Sequence, residues 1–73
     1  MIAYKNRRGD SGVAAYNIGA DFIDVKFIST AKIYKYSYRS AGSHNIEEMK
    51  KLATDGCGLN SFIMKNVKDL YVR

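Results

Sequence analysis

The chain has no proline and no tryptophan, one cysteine and one histidine, and each shortage removes a class of protein. Cys57 alone cannot form an internal disulfide, whereas small secreted domains are usually dense in paired cysteines, so a reducing, cytoplasmic setting is expected. His44 has no second imidazole and no cysteine cluster to complete a zinc site, and its place ahead of a helical pattern marks a surface residue at a helix start. No apolar run reaches the roughly 18 residues of a membrane span. The charged stretch Lys5-Asn6-Arg7-Arg8 is followed by no apolar segment of the secretory type. With 73 residues there is room for one hydrophobic core, worth roughly 3–5 kcal/mol of net stability, and little for a deep catalytic cleft. Acidic side chains are also in short supply, seven against twelve Lys and Arg, which leaves a net charge of +5.

What is present is patterned. Val13 to Ile18 is a short apolar run closed by Gly19-Ala20-Asp21, a strand and its turn. In Phe22 to Ile28, Ile23, Val25 and Phe27 alternate with Asp24 and Lys26, the period of a half-buried strand. Beyond Ser29-Thr30-Ala31, the stretch Lys32 to Tyr38 alternates again, with Tyr34, Tyr36 and Tyr38 on one side and Ile33, Lys35 and Ser37 on the other. The period then becomes helical at Ile46, Met49, Leu52 and Ala53. Asn45 with Glu48 has the form of a capping box, and Ser43 is the other candidate cap. Gly56 suits the left-handed residue that ends this helix, and Leu59, Phe62, Ile63, Val67 and Leu70 mark one face of a second.

These signals predict an α+β domain of order β-β-β-α-α. A three-stranded antiparallel sheet runs over Val13–Tyr38, and helices over Ile46–Thr54 and Leu59–Val67 cover one of its faces. Val25, Phe27, Leu52, Phe62 and Ile63 are expected to be buried together. Residues 1–10 read as a polar, basic leading segment and 11–73 as the single domain.

The runs Val25-Lys26-Phe27, Tyr34-Lys35-Tyr36 and Gly56-Cys57-Gly58-Leu59-Asn60-Ser61-Phe62-Ile63, in that order, resemble the KTSC domain over Ser11 to Tyr71. That module occurs at the C-terminus of some lysyl-tRNA synthetases and alone in small bacterial and phage proteins. Its pattern is an apolar-x-Val-x-Phe strand, a turn, a Tyr-x-Tyr strand, and a helix followed by Gly-x-x-x-Asn-x-x-Ile. This chain departs from it in three places: the turn glycine after Phe27 is absent, no Val-Pro follows the tyrosines, and Asp55 stands where a serine is common. The resemblance implies a small module of unestablished role for which RNA binding has been suggested.

Catalytic chemistry finds no constellation. Glu47 and Glu48 are neighbours on a helix and point apart, and Glu47 with Lys51 is an ordinary surface contact. Ser11, Ser43 and Ser61 have no base and orienting acid. Cys57 reads as a small residue at a tight corner, and Gly56-Cys57-Gly58 as a helix end before a phosphate cradle. Arg8-Gly9-Asp10 has the composition of a polar turn. A non-catalytic module without cofactor or metal is expected.

The basic excess is uneven. Lys32, Lys35 and Arg39 carry three positive charges with no acid between them, and Arg7 and Arg8 add two more near the N-terminus. Cations release counterions from phosphates and tyrosines stack on unpaired bases, so Lys32, Lys35, Arg39, Tyr36, Tyr38, Arg7 and Arg8 are the candidate nucleic-acid-binding residues, with RNA the first partner to consider. If the tyrosine face packs under the helices, the same rings are core. The alternative function is a protein–protein interaction module using the sheet face or an edge strand.

Overall fold

Alternation makes Phe22–Phe27 a strand that buries Ile23 and Val25 completely, and the remaining strands are laid down on either side of it. The computed structural model describes residues 1–7, 9 and 12–73. It contains an antiparallel sheet of four strands in sequence order, β1 (Ile2–Ala3), β2 (Val13–Ile18), β3 (Phe22–Phe27) and β4 (Ile33–Ser37). Helices α1 (Tyr38–Ala41), α2 (Ser43–Asp55) and α3 (Leu59–Phe62) follow, the last running into a π-helical turn at Ile63–Val67. The α+β class and the antiparallel sheet agree with the sequence pattern; the number of strands does not.

The fourth strand is β1. Ile2 and Ala3 pair with Tyr16 and Ala15, and Tyr4 is buried with its hydroxyl accepting the Leu59 backbone N–H. Residues Ile2 to Tyr4 thus belong to the sheet and core rather than to a polar leading segment. Two residues are too few to show a period, and the neighbouring Lys5, Asn6 and Arg7 mask them. Arg8 and the flanks of the expected Arg8-Gly9-Asp10 turn lie outside the described residues, as does Ser11; Gly9 closes a turn by donating to the Asn6 carbonyl at 2.9 Å.

Register decides which side chains reach the core. Val13 and Tyr16 differ in parity and would face opposite sides of a regular strand. A bulge between Val13 and Ala15 re-phases the strand so that both are buried. Tyr36 lies opposite Ile23 and Tyr34 opposite Val25, on the side covered by Ile46, Met49 and Ala53 of α2 and by Leu59, Ile63 and Val67. The last three are spaced by four, a spacing that a π turn, wider than an α turn, keeps in line. Phe27, Leu52 and Phe62, expected in the core with Val25 and Ile63, are only half-buried at its margin. On the open face Lys35 lies opposite Asp24, and Lys26 opposite Ile33.

Tyr38 leaves the strand. Ser37 accepts the Ser40 backbone N–H at 3.1 Å and the Ser40 hydroxyl accepts the Ser37 N–H at 3.0 Å, a reciprocal cap that starts α1 at Tyr38. The three tyrosines therefore do not share a face, because the capping hydrogen bonds end the alternation at Ser37. The expected Asn45–Glu48 box is not formed either: Gly42 precedes α2 without a side-chain cap, and the Asn45 amide donates to the Ala41 carbonyl at 2.8 Å. Ser43 is the first residue of that helix. Gly56 ends it with φ 79°, as expected, and Arg7 donates from its backbone N–H to the Gly56 carbonyl at 2.8 Å. Leu70 falls beyond the helical segment and is exposed.

Candidate nucleic-acid interface

The seven candidate residues are not brought together. Lys35 is exposed on the open face of the sheet, its ammonium 4.3 Å from the centre of the Phe22 ring. That ring is pressed so closely onto Gly19 that a Cβ there would come within 1.9 Å of it. Lys32 precedes β4 and turns to the other side, 5.3 Å from the Tyr34 ring centre. Arg39 is exposed on α1, and Arg7 sits at the far end of α2, where its guanidinium reaches the Asp55 carbonyl at 3.5 Å, a favourable place for a cation at a helix C-terminus. Arg8 is outside the described residues. Opposite placement of Lys32 and Lys35 breaks the single line of charge that their sequence proximity implies.

The tyrosines diverge as well. Tyr36 is 1% exposed, so its ring is a core element and offers no open face to a base. Burial, followed by its neighbours Tyr34, Tyr71 and Asp69, pushes the Tyr36 phenol up to about 12, which keeps the hydroxyl protonated throughout the physiological range. Tyr38 is 37% exposed and donates to the Glu47 carboxylate, which also accepts from Lys50 at 2.9 Å. The shared hydrogen bond holds the Glu47 carboxyl below its ordinary value and the Tyr38 phenol above its own. The pairing on Glu47 is with Lys50 and not with Lys51, as expected from sequence, because Lys50 is also drawn toward the Ala20 carbonyl, 2.9 Å from its ammonium.

What the fold does assemble is a cleft at the Lys32 end of β4. Its volume is about 430 Å³, and its walls include Phe27, Tyr34, Asn60, Met64, Lys68, Asp69 and Tyr71. The rings contact one another edge to face: Phe27 to Tyr34 at 5.6 Å, Tyr34 to Tyr71 at 4.9 Å and Tyr71 to Tyr36 at 6.3 Å between centres. Tyr71 is held there because the Val72 N–H donates to the Lys35 carbonyl at 2.6 Å, laying the C-terminal residues along the free edge of β4. Met64 and Lys68 are four apart on the helical segment that includes the π turn and so reach the same wall. Lys32 lies 5.9 Å and the Arg73 guanidinium 4.7 Å from the Tyr71 ring centre.

Among the described residues, the side chains of Asn60, Lys68 and Asp69 make no hydrogen bond or ion pair. The cleft therefore combines aromatic walls, one lining cation, Lys68, and two uncommitted polar groups, an amide and a carboxylate, while Lys32 and Arg73 lie against two of its rings. Sequence reasoning missed Tyr71, Asn60, Lys68 and Asp69 as site residues. The available signal was Tyr71 itself, an aromatic ring just beyond the charged run Lys65 to Asp69.

No metal-binding group of three or more His, Cys, Asp or Glu occurs among the described residues, and no helix among them is long and apolar enough to cross a membrane. Gly58 precedes only the four residues of α3, and the Leu59 N–H is taken by Tyr4, which leaves the Gly56-Cys57-Gly58 corner a structural joint. No protein-family model, curated protein or solved structure matches the chain. The likeness to the KTSC domain accordingly rests on its own residues.

Proposed function

We propose that this chain is a small non-catalytic module, KTSC-like in its motifs, that binds single-stranded nucleic acid, RNA foremost, at the tyrosine cleft beside β4. The observation that carries the reading is an open cleft walled by Tyr34, Tyr71 and Lys68, with Lys32 and Arg73 against the two tyrosine rings. Aromatic rings take unpaired bases, arginine planes take them too, and lysines meet the phosphates that flank them. A volume of about 430 Å³ lies in the range of roughly 300–1,000 Å³ typical of small-ligand sites; it suits one splayed nucleotide and not a duplex. The net charge of +5 favours the encounter.

Fluorescence anisotropy with labelled single-stranded and duplex RNA and DNA, repeated across salt concentrations, tests this. Single strands should bind more tightly than duplexes. Replacing Lys32, Lys68 and Arg73 by Ala should lower the log–log salt slope by roughly 0.7 for each side chain that no longer meets a phosphate. An absence of binding at low salt up to ~100 μM, the weak end of nonspecific binding, overturns the reading. A partner protein on the open sheet face then becomes the better account, favoured by Ile33, which is 51% exposed there, and by Ile28 in the turn that follows β3, 62% exposed.

A further inference from the structure

The chemistry of the cleft is narrower than its shape. A cationic ligand, the usual guest of an aromatic cage, is disfavoured by like charge, because Lys32, Lys68 and Arg73 already bring positive charge to the neighbourhood of the Tyr34 and Tyr71 rings. A wholly anionic ligand would meet Asp69. What remains is a flat group bearing hydrogen-bond donors on one side and negative charge at a distance, which describes a nucleotide whose base edge faces the carboxylate.

Bases differ at that edge. A carboxylate only accepts hydrogen bonds and presents two oxygens side by side. Guanine alone offers two adjacent donors on its Watson–Crick edge, the ring N1–H and the exocyclic amine. Cytosine and adenine offer one amine beside an acceptor, and uracil one N–H between two acceptors that a carboxylate repels. The Asn60 amide, also uncommitted, has a donor for a guanine carbonyl and an acceptor besides.

On the reading that the cleft binds nucleic acid, we propose that it selects guanine, with Asp69 accepting from the N1–H and exocyclic amine of an unpaired base held against the tyrosine rings. The phosphates on either side of that base lie toward Lys32 and Lys68. Asp69 is the specificity residue, and the cations supply affinity without sequence preference.

The experiment compares the single-stranded RNA pentamers UUGUU, UUUUU, UUAUU and UUIUU, where I is inosine, which keeps the ring N1–H and lacks the exocyclic amine. Binding is measured by anisotropy to the full chain and to Asp69→Asn, a substitution of an exposed side chain. UUGUU should bind roughly 5- to 150-fold more tightly than UUUUU, the range of one good bidentate pair. UUIUU should lose most of that margin. Asp69→Asn should abolish the difference between UUGUU and UUUUU while binding UUUUU at least as well as the parent, since a negative charge has been removed. Equal binding of all four pentamers, or a guanine preference that survives Asp69→Asn or inosine, overturns the guanine assignment and leaves nucleic-acid binding standing. Failure of every pentamer to bind at low salt overturns both. Competition by GMP separates the sources of the base: displacement at concentrations equal to those of UUGUU assigns a free guanine nucleotide, and weaker displacement assigns the strand.

Discussion

The two ends of β4 are built from the same materials, a tyrosine, a lysine and a carboxylate, and they close differently. At the C-terminal end a set of polar groups pairs within the protein, with Arg39 left exposed beside it: Ser37 and Ser40 cap each other, Tyr38 donates to Glu47, and Lys50 bridges Glu47 and the Ala20 carbonyl. At the N-terminal end the rings of Phe27, Tyr34 and Tyr71 satisfy one another, while Asn60, Lys68 and Asp69 face the cleft without protein partners. Paired polar groups make a joint between strand and helix. Polar groups left unpaired by the protein are what the proposed site offers, because a ligand that pairs with them replaces only water.

Both ends hang on the core between them, so the largest effect should come from breaking it. Ile23 is fully buried opposite Tyr36. Ile23→Ala should cost about 2–5 kcal/mol, comparable to the roughly 3–5 kcal/mol that a domain of this size holds; urea denaturation should find the variant largely unfolded and unable to bind. Phe62→Ala, expected from sequence to be as damaging, should cost less because Phe62 is only half-buried.

The second effect separates the ends. Tyr71→Ala removes the ring that touches both Tyr34 and Tyr36 and should weaken single-strand binding by roughly 1–3 kcal/mol, the usual effect of removing one stacked base. Tyr38→Ala, at the paired end, should leave affinity per folded molecule unchanged. Equal reductions of affinity in the two variants would break the distinction between joint and site.

The sequence pattern carried β2, β3, β4 and α2 because each is long enough to repeat its period against one core. It did not carry β1, whose two residues have no period, nor α1, whose start depends on the Ser37–Ser40 reciprocal cap competing with strand alternation. The cleft was harder to see, since Phe27, Tyr34, Asn60 and Tyr71 meet only through the fold. The supposed charge track was legible in part. Lys32 and Lys35 differ in parity, and the period of two that made Tyr34 and Tyr36 neighbours already set those lysines on opposite faces.

A third effect, smaller again, belongs to the joint alone. Ser37→Ala removes the cap of α1 and should lower stability by about 1 kcal/mol, with single-strand affinity intact. Thermal melting and anisotropy on the same samples check both halves of that expectation.

The smallest effect concerns how the joint responds to pH. Hydrogen bonds from Tyr38 and Lys50 hold the Glu47 carboxyl below its ordinary value of 4.5, and the bond to Glu47 lifts the Tyr38 phenol above its ordinary 10. A carboxyl lowered in the folded state contributes stability above its unfolded value and loses it as pH falls through the folded one. A phenol raised in the folded state contributes stability below its unfolded value and loses it as pH rises through the folded one. The stability difference between the protein and Tyr38→Phe should therefore be level between about pH 5 and pH 9, shrink below pH 4.5 as Glu47 takes up a proton, and shrink above pH 10 as Tyr38 loses one beside a carboxylate. Urea midpoints across that range measure it. A difference that stays constant into acid would mean that the Tyr38–Glu47 bond adds nothing to the joint, and the contrast between the two ends of β4 would then rest on the serine cap alone.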